Sequence, residues 1–433
     1  MSDPVRVAID GFNLAIPRGT GVATYARSLS HCLRGLGHPV DALYGMSIGA
    51  EADANLRTVQ FFEQLQSERA PRLPKYPSLP WARQMLAARQ GMAAFEIALT
   101  ASVVATQVER QLPWFDRLLN VYGLFAIANR YFRNFGRFMT VRVPGPQPAI
   151  MHWTYPLPIR LAGAKNIYTV HDLVPLRLPF TTLDDKPTHV RLLTTCLREG
   201  DHICTVSDTS RRDILDYFPW LAPERITNTY QSVVPAPGLP ADEVVARTLR
   251  RAFGLEPRGY FLFFGSIEPK KNIGRLLQAF LTADVALPLV LVGARAWKSE
   301  GELALLQNRP AGDQRVRQME YVGAETLAML VRGARAVTFP SLYEGFGLPL
   351  LEAMALGTPV LASREGSLPE VAGDAALFVD AYDPASIAAG LTRLATDDGL
   401  CAELRARGLV RARHFDMAAY QERVAAMYAR VLG

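Results

Sequence analysis

The segment AVTFPSLYEGFGLPLLEAMALGTPVLAS, residues 336–363, restricts the possible folds more than any other part of the chain. Ala336 to Phe339 reads as a short buried strand, and Pro340 with Gly345 to Gly347 reads as a loop. Pro349 suits the first turn of a helix, where its missing N–H costs nothing. Leu350, Leu351, Met354 and Ala355 then form an apolar stripe, Gly357 and Pro359 end the helix, and Val360 to Ala362 is the next strand. Strand, loop, helix and strand in one sheet make a right-handed crossover with the loop at the carboxyl edge. The segment therefore calls for a parallel α/β sheet.

Open α/β sheets bind ligands at that edge, and the free N–H groups that begin a helix attract phosphates. Glu344 and Glu352 both lie beside this anion site, so each is expected to accept hydrogen bonds from hydroxyls. A ligand with phosphates in the middle and hydroxyls at both ends is a nucleotide sugar. Taken alone, Glu352 also reads as a carboxylate that complements the helix dipole.

The pattern recurs along the chain. Val5 to Ile9 is a buried strand ending at Asp10 and Gly11, and the loop FNLAIPRGTG leads into the helix VATYARSLSHCLRGLG. Ile150 to His152, Ile167 to Val170 and His202 to Val206 are short, β-rich and followed by loops or helix starts. After the Pro-rich stretch VVPAPGLP at 233–240, a second set begins with Tyr260 to Phe264, Leu289 to Val292, Tyr321 with Val322, and Ala336 to Phe339. We expect two Rossmann-like domains whose parallel sheets face a central cleft, residues 1–236 and 237–433. Residues 55–145 read as a mainly helical insert in the first domain. A chain of 433 residues with 49% hydrophobic content is long enough for both cores.

Three further loops carry candidate chemistry. In FFGSIEPKKNIGRLLQAF, Lys270 and Lys271 stand between a strand and a helix and can reach a diphosphate at the helix start, or be solvated surface lysines. In PRGTGVATYA, Gly19 and Gly21 let the backbone approach a ligand, but the third glycine of a dinucleotide fingerprint is missing, with Thr24 in its place. In TVHDLVP, His171 follows a strand, where a histidine either contacts a sugar hydroxyl or packs in the core.

Charge is uneven. Residues 69–142 carry 11 basic and 3 acidic side chains. In RYFRNFGRFMTVRV, Arg130, Arg133, Arg137 and Arg142 alternate with Tyr131, Phe132, Phe135 and Phe138. Such a pattern fits an anionic membrane surface, and fits equally an amphipathic helix with its aromatics in the core. No nucleic-acid motif accompanies it. Cys32, Cys196, Cys204 and Cys401 lack metal-ligand spacing and read as reduced thiols of a cytoplasmic protein. The start MSDPVRVAID runs straight into a strand, so no signal peptide is expected. No apolar run approaches the roughly 20 residues that span a bilayer.

SLYEGFGLPLLEAMALGTPVLAS resembles the signature of retaining glycosyltransferases of the large glycogen-synthase-like family, family 4, which have the GT-B fold. GSIEPKKN is similar to that family's phosphate-binding segment, GTGVATYARSL to its N-terminal glycine loop and TVHDLVP to its active-site histidine segment. The resemblance implies that Glu344 contacts the transferred sugar, with the amides of Gly345, Phe346, Gly347 and Leu348 near sugar and diphosphate. It implies that Glu352 holds the ribose, Lys271 and Lys270 the diphosphate, and that Gly21 and His171 line the site from the other domain. Ser266 stands where many members have an arginine, Lys270 where arginine is common, and Tyr321 and Val322 are expected near the base. The last helix, about 415–433, is expected to pack back on the first domain.

GTGVATYARSL and HDLVPLRLP most resemble mannosyltransferases of the branch that builds bacterial polysaccharides. The expected reaction moves mannose from GDP-mannose to a lipid-linked or polysaccharide acceptor, with no cofactor or metal, at the inner face of the plasma membrane. Arg130, Phe132, Arg133, Phe135, Arg137 and Phe138 are the expected membrane or acceptor contacts. Another nucleotide sugar with a soluble acceptor, and a non-catalytic scaffold, are the alternatives.

Overall fold

The computed structural model describes residues 3–16, 21–51, 53–66, 73–99, 112–233, 238, 240–307 and 313–433. Buried aliphatic and aromatic strands build two large sheets. In the first, the order is Ile226–Asn228, His202–Thr205, Lys165–Val170, Ile150–Trp153, Val7–Asp10, Val40–Tyr44, Arg117–Asn120 and Phe95–Glu96. All neighbours are parallel except the last pair. In the second, entirely parallel sheet, the order is Val316–Met319, Leu289–Val292, Phe261–Phe264, Ala336–Phe339, Val360–Ser363 and Leu377–Val379.

Each sheet reverses its strand order once beside its first strand: between Val7–Asp10 and Ile150–Trp153, and between Phe261–Phe264 and Ala336–Phe339. At such a point the flanking loops part in opposite directions and leave a crevice at the carboxyl edge. Both crevices open toward each other, because Ser207 Oγ of the first unit donates to Gly345 O of the second at 2.6 Å. Glu370 of the second unit accepts from Asp208 N at 2.6 Å and Thr209 N at 2.8 Å, so it caps the helix Asp208–Tyr217 across the junction.

Two sequence expectations need correction. Residues 55–145 contain the helices Ala54–Leu65, Leu79–Gln90 and Leu124–Phe135, yet Arg117–Asn120 is a parallel strand of the first sheet, paired to Val40–Tyr44. The stretch completes the sheet's far side; a short apolar run such as Leu118–Leu119 has no period that separates strand from helix. The strand expected at Tyr321 and Val322 lies earlier, at Val316–Met319. Its register is set by Leu289 N bonding to Arg315 O and ends where Gly293 N bonds to Met319 O.

The chain crosses between the units twice. The first crossing follows Val233, and most of the Pro-rich stretch there, including the expected boundary at 236–237, lies outside the described residues. The second leads into the last helix, Met417–Leu432, which lies against the helix Gly21–Gly35 of the first unit. Its Tyr428 hydroxyl is 2.8 Å from His152 Nδ1 in the first sheet. Tyr230 and Phe415 meet edge to face, ring centroids 5.2 Å apart, where the crossings come together, with Phe346 5.6 Å from Phe415.

Candidate active site

The strand Phe261–Phe264 ends at Gly265, and a single turn, Pro269–Lys271, leads to Asn272 in the left-handed region. The Asn272 amide donates to Pro340 O at 2.9 Å and Ala381 O at 2.7 Å, and Leu342 N donates to Lys270 O at 2.7 Å. These bonds tie together the two loops beside the second sheet's reversal. As a result Lys271 Nζ sits 2.6 Å from Glu344 Oε1, both side chains being buried. Burial acts to raise the Glu344 carboxyl, but Lys271 and Lys270 outweigh it and hold the group below its ordinary value. Burial likewise works against the charge on Lys270, and Asp172, Glu344 and Glu268 reverse it, so its ammonium is held above its ordinary value. Asp172 belongs to the first unit, so the charges form one cluster across the cleft.

Gly347 caps the helix Leu348–Ala355 with φ +93°, a conformation that disfavours any side chain. Gly345 has a different reason. A Cβ there would lie 2.5 Å from His171 O and 2.9 Å from Asp172 Cβ, so only glycine lets this loop press against the first sheet's edge. Glu352 is partly exposed, has no hydrogen-bond partner among the described residues, and burial pushes its carboxyl up to about 7.

His171 Nε2 lies 2.8 Å from Thr154 O. A carbonyl only accepts, so Nε2 carries the proton and Nδ1 is left as an acceptor. Burial lowers the pKa of this imidazole, which keeps it neutral. Its ring packs edge-on against Tyr25, centroids 4.9 Å apart, and the Tyr25 hydroxyl is within 3.2 Å of His152 Nε2 and Thr169 Oγ1. A buried polar network thus backs the histidine.

The structure brings His171, Lys270, Lys271, Glu344, Gly345, Phe346 and Gly347 together. Ser266 is exposed on the same loop, and Leu348 starts the helix. Gly21 begins the first helix with open space around it, and Gly19 lies outside the described residues. Tyr321 is 75% exposed and Val322 half-buried. The aromatic and arginine stretch divides. Phe132 is buried at 2% exposure with Arg191 over its ring, and Phe138 packs on Tyr168, while Arg133, Phe135 and Arg137 are exposed. Arg130 is partly buried and donates to Pro74 O at 2.5 Å. Phe132 as a membrane contact is therefore withdrawn: its helix turns that ring inward, against Phe138 and under the Arg191 guanidinium. Sequence reading missed Asp10, whose buried carboxylate accepts from Phe12 N at 3.1 Å and Thr154 N at 2.5 Å. It also missed Asp213, which holds Tyr343 of the second unit and Arg177 of its own. Asp10 ends a buried strand at the edge, a position that signals a role; Asp213, mid-helix, carries no such signal.

Residues 246–411 match the family described as glycosyl transferases group 1. Over 264 residues the chain is 36% identical to O-antigen chain mannosyltransferase B of Escherichia coli, covering 60% of this chain and 68% of that protein. The chain belongs to the group 1 glycosyltransferases. The glycosyltransferase is also 28% identical, over 246 residues, to the serotype-specific mannosyltransferase WbdA of Escherichia coli. That match covers 53% of this chain and 30% of the longer WbdA. Among solved structures it is similar to sucrose-phosphate synthase from Thermosynechococcus elongatus, with TM-score 0.65, 17% identity and 99% of each chain covered. The glycosyltransferase has the GT-B fold, two Rossmann-like sheets facing one cleft.

Proposed function

We propose that this glycosyltransferase is a retaining mannosyltransferase that moves mannose from GDP-mannose to a lipid-linked glycan at the cytoplasmic face of a membrane. The observation that carries the reading is the buried Lys271–Glu344 pair, set before the helix Leu348–Ala355 and opposite His171. Lys271, Lys270 and the first-turn N–H groups stabilise the charge that grows on the departing diphosphate. Glu344, held ionised, accepts hydrogen bonds from hydroxyls of the transferred sugar, and Glu352 accepts from the ribose. Neutral His171 offers Nδ1 to a sugar or acceptor hydroxyl. The bond forms on the face that the diphosphate leaves, so no protein nucleophile is needed, and the lysines supply the positive charge without a resident metal. The names of the mannosyltransferase relatives support mannose as the sugar, and Gly323 with Val322 and Tyr321 is the proposed side for the base.

A thermal-shift screen against GDP, UDP, ADP and dTDP, free and with their common sugars, tests the donor. Selective stabilisation by GDP-mannose is expected; selective stabilisation by another nucleotide sugar replaces the donor.

For the membrane, the helix Leu79–Gln90 supports contact better than the stretch first considered. Its Trp81, Met85 and Ala88 turn inward, whereas Leu79 and Leu86 face outward with Arg83, at 65% and 54% exposure for the leucines. Residues 73–95 hold three basic and no acidic side chains. Apolar groups within a basic surface fit anionic headgroups. Among the described residues no helix is long and apolar enough to cross a membrane. Flotation with phosphatidylglycerol vesicles should carry the protein up, and Leu79→Glu with Leu86→Glu should abolish this. A wild type that stays unbound favours a soluble acceptor.

A further inference from the structure

The first sheet has its own order reversal, and the charged donor loops do not occupy it. Its crevice lies between the loops that follow Val7–Asp10 and Ile150–Trp153, and each loop places one aromatic ring there: Phe12 and Tyr155. Both are partly exposed, their centroids 6.1 Å apart and their planes within 31°. The Asp10 carboxylate fixes both loops, through Phe12 N and Thr154 N, and Thr154 O in turn orients His171. Phe12 is braced from behind by Phe125, edge to face at 5.1 Å. Near the Tyr155 hydroxyl stand Asp172 and Asp184 of its own unit and Lys270 of the other, so this ring looks into the cleft. The hydroxyl makes no hydrogen bond among the described residues.

From these observations we infer that Phe12 and Tyr155 form a platform for a pyranose ring of the acceptor glycan, with Tyr155 donating a hydrogen bond to a sugar hydroxyl. A pyranose presents C–H groups on one face and hydroxyls around its rim. Two neighbouring rings tilted 31° to each other, with an unused hydroxyl beside carboxylates, match both surfaces. The shared anchoring on Asp10 places the seated ring next to His171, where an acceptor hydroxyl must arrive. A lipid tail would use neither the spare hydroxyl nor the carboxylates, and a bare phosphate would be repelled by the carboxylates. The inference rests on the glycosyltransferase acting on a glycan acceptor, and deepens that reading.

Saturation-transfer NMR of the full chain with GDP and octyl α-D-mannopyranoside tests it, read beside the thermal shift caused by GDP. Strong transfer to the pyranose ring protons is expected, with Kd raised about tenfold by Phe12→Ala and by Tyr155→Ala and about threefold by Tyr155→Phe. The GDP shift should stay at the wild-type size in all three. Transfer to the octyl chain alone, or variants that keep the wild-type Kd, would overturn the platform. Loss of the GDP shift in Tyr155→Phe would overturn it too, by showing that the hydroxyl serves the fold. A wild type that no nucleotide stabilises would instead strike at the donor reading, a separable failure.

Discussion

The two edges that face the cleft are built on the same topological rule but with different materials. The second sheet's edge is charged: two lysines, Glu268, Glu344 and a helix start, locked by the short Lys271–Glu344 contact. The first sheet's edge is built on rings: Phe12, Tyr155 and a histidine held uncharged, with Asp10 spent on backbone amides and Asp172 beside Tyr155 facing Lys270 of the other unit. A charged edge suits a diphosphate whose charge grows during reaction, and an aromatic edge suits a neutral glycan. On the proposed function, the asymmetry divides donor from acceptor by electrostatics before any shape is considered.

The comparison can be broken at several points, and the largest effect belongs to packing. Phe132→Ala should lower stability by about 3–5 kcal/mol, as for other buried phenylalanines. A denaturant midpoint close to wild type would return this ring to the surface and reopen its membrane role. Next comes Glu344→Gln, which keeps a hydrogen bond to Lys271 but removes the charge. Turnover should fall about 100–1000-fold with little change in GDP affinity, and near-normal turnover would remove Glu344 from the charged edge's chemistry.

Glu352→Ala should weaken donor binding about tenfold, or about 1.4 kcal/mol. The sign with pH follows from its carboxyl being raised to about 7. It is the ionised form that accepts from ribose hydroxyls, so donor affinity should rise between pH 6 and 8 in the wild type and lose that slope in Glu352→Gln. Calorimetry at three pH values decides it; a flat wild-type profile would leave the residue as a partner of the helix dipole. The smallest effect is expected for Glu370→Ala. Removing a helix cap costs about 1 kcal/mol, here taken from the closed arrangement of the two units, so KM for the donor should rise severalfold while kcat changes less. Equal thermal stability and kinetics would mean that the cross-junction cap does not hold the cleft shut.

The charged edge was legible in the sequence because its residues sit in loops between strong strand and helix signals, with glycines and prolines marking each boundary. Glu344, Lys271 and His171 could be placed from local pattern alone. Ser207 against Gly345 O and Asp213 against Tyr343 could not, since residues over 100 positions apart meet there and neither serine nor aspartate has a signature for it. Phe12 and Tyr155 escaped for the opposite reason: partly exposed aromatics are common, and only the strand order shows that both border one crevice. The strand Arg117–Asn120 was lost in a basic stretch that otherwise reads as helical, because two apolar residues do not define a period.

The double crossing of the chain has a mechanical consequence. A body tied at one point can swivel about any axis, whereas two ties leave only rotation about the line between them. Tyr230 and Phe415 mark where these ties meet, and Phe346 lies against Phe415. The loop that carries Phe346 therefore rides close to the pivot and would be displaced least if the halves swung apart. The contact from Trp297 Nε1 to Thr181 O, 2.8 Å, joins the loop after Leu289–Val292 to the first unit through neither crossing, and would travel farther than the pivot for the same angle. Opening the molecule would thus widen the cleft at that contact while leaving the Lys271–Glu344 pair, which lies wholly within the second unit, intact.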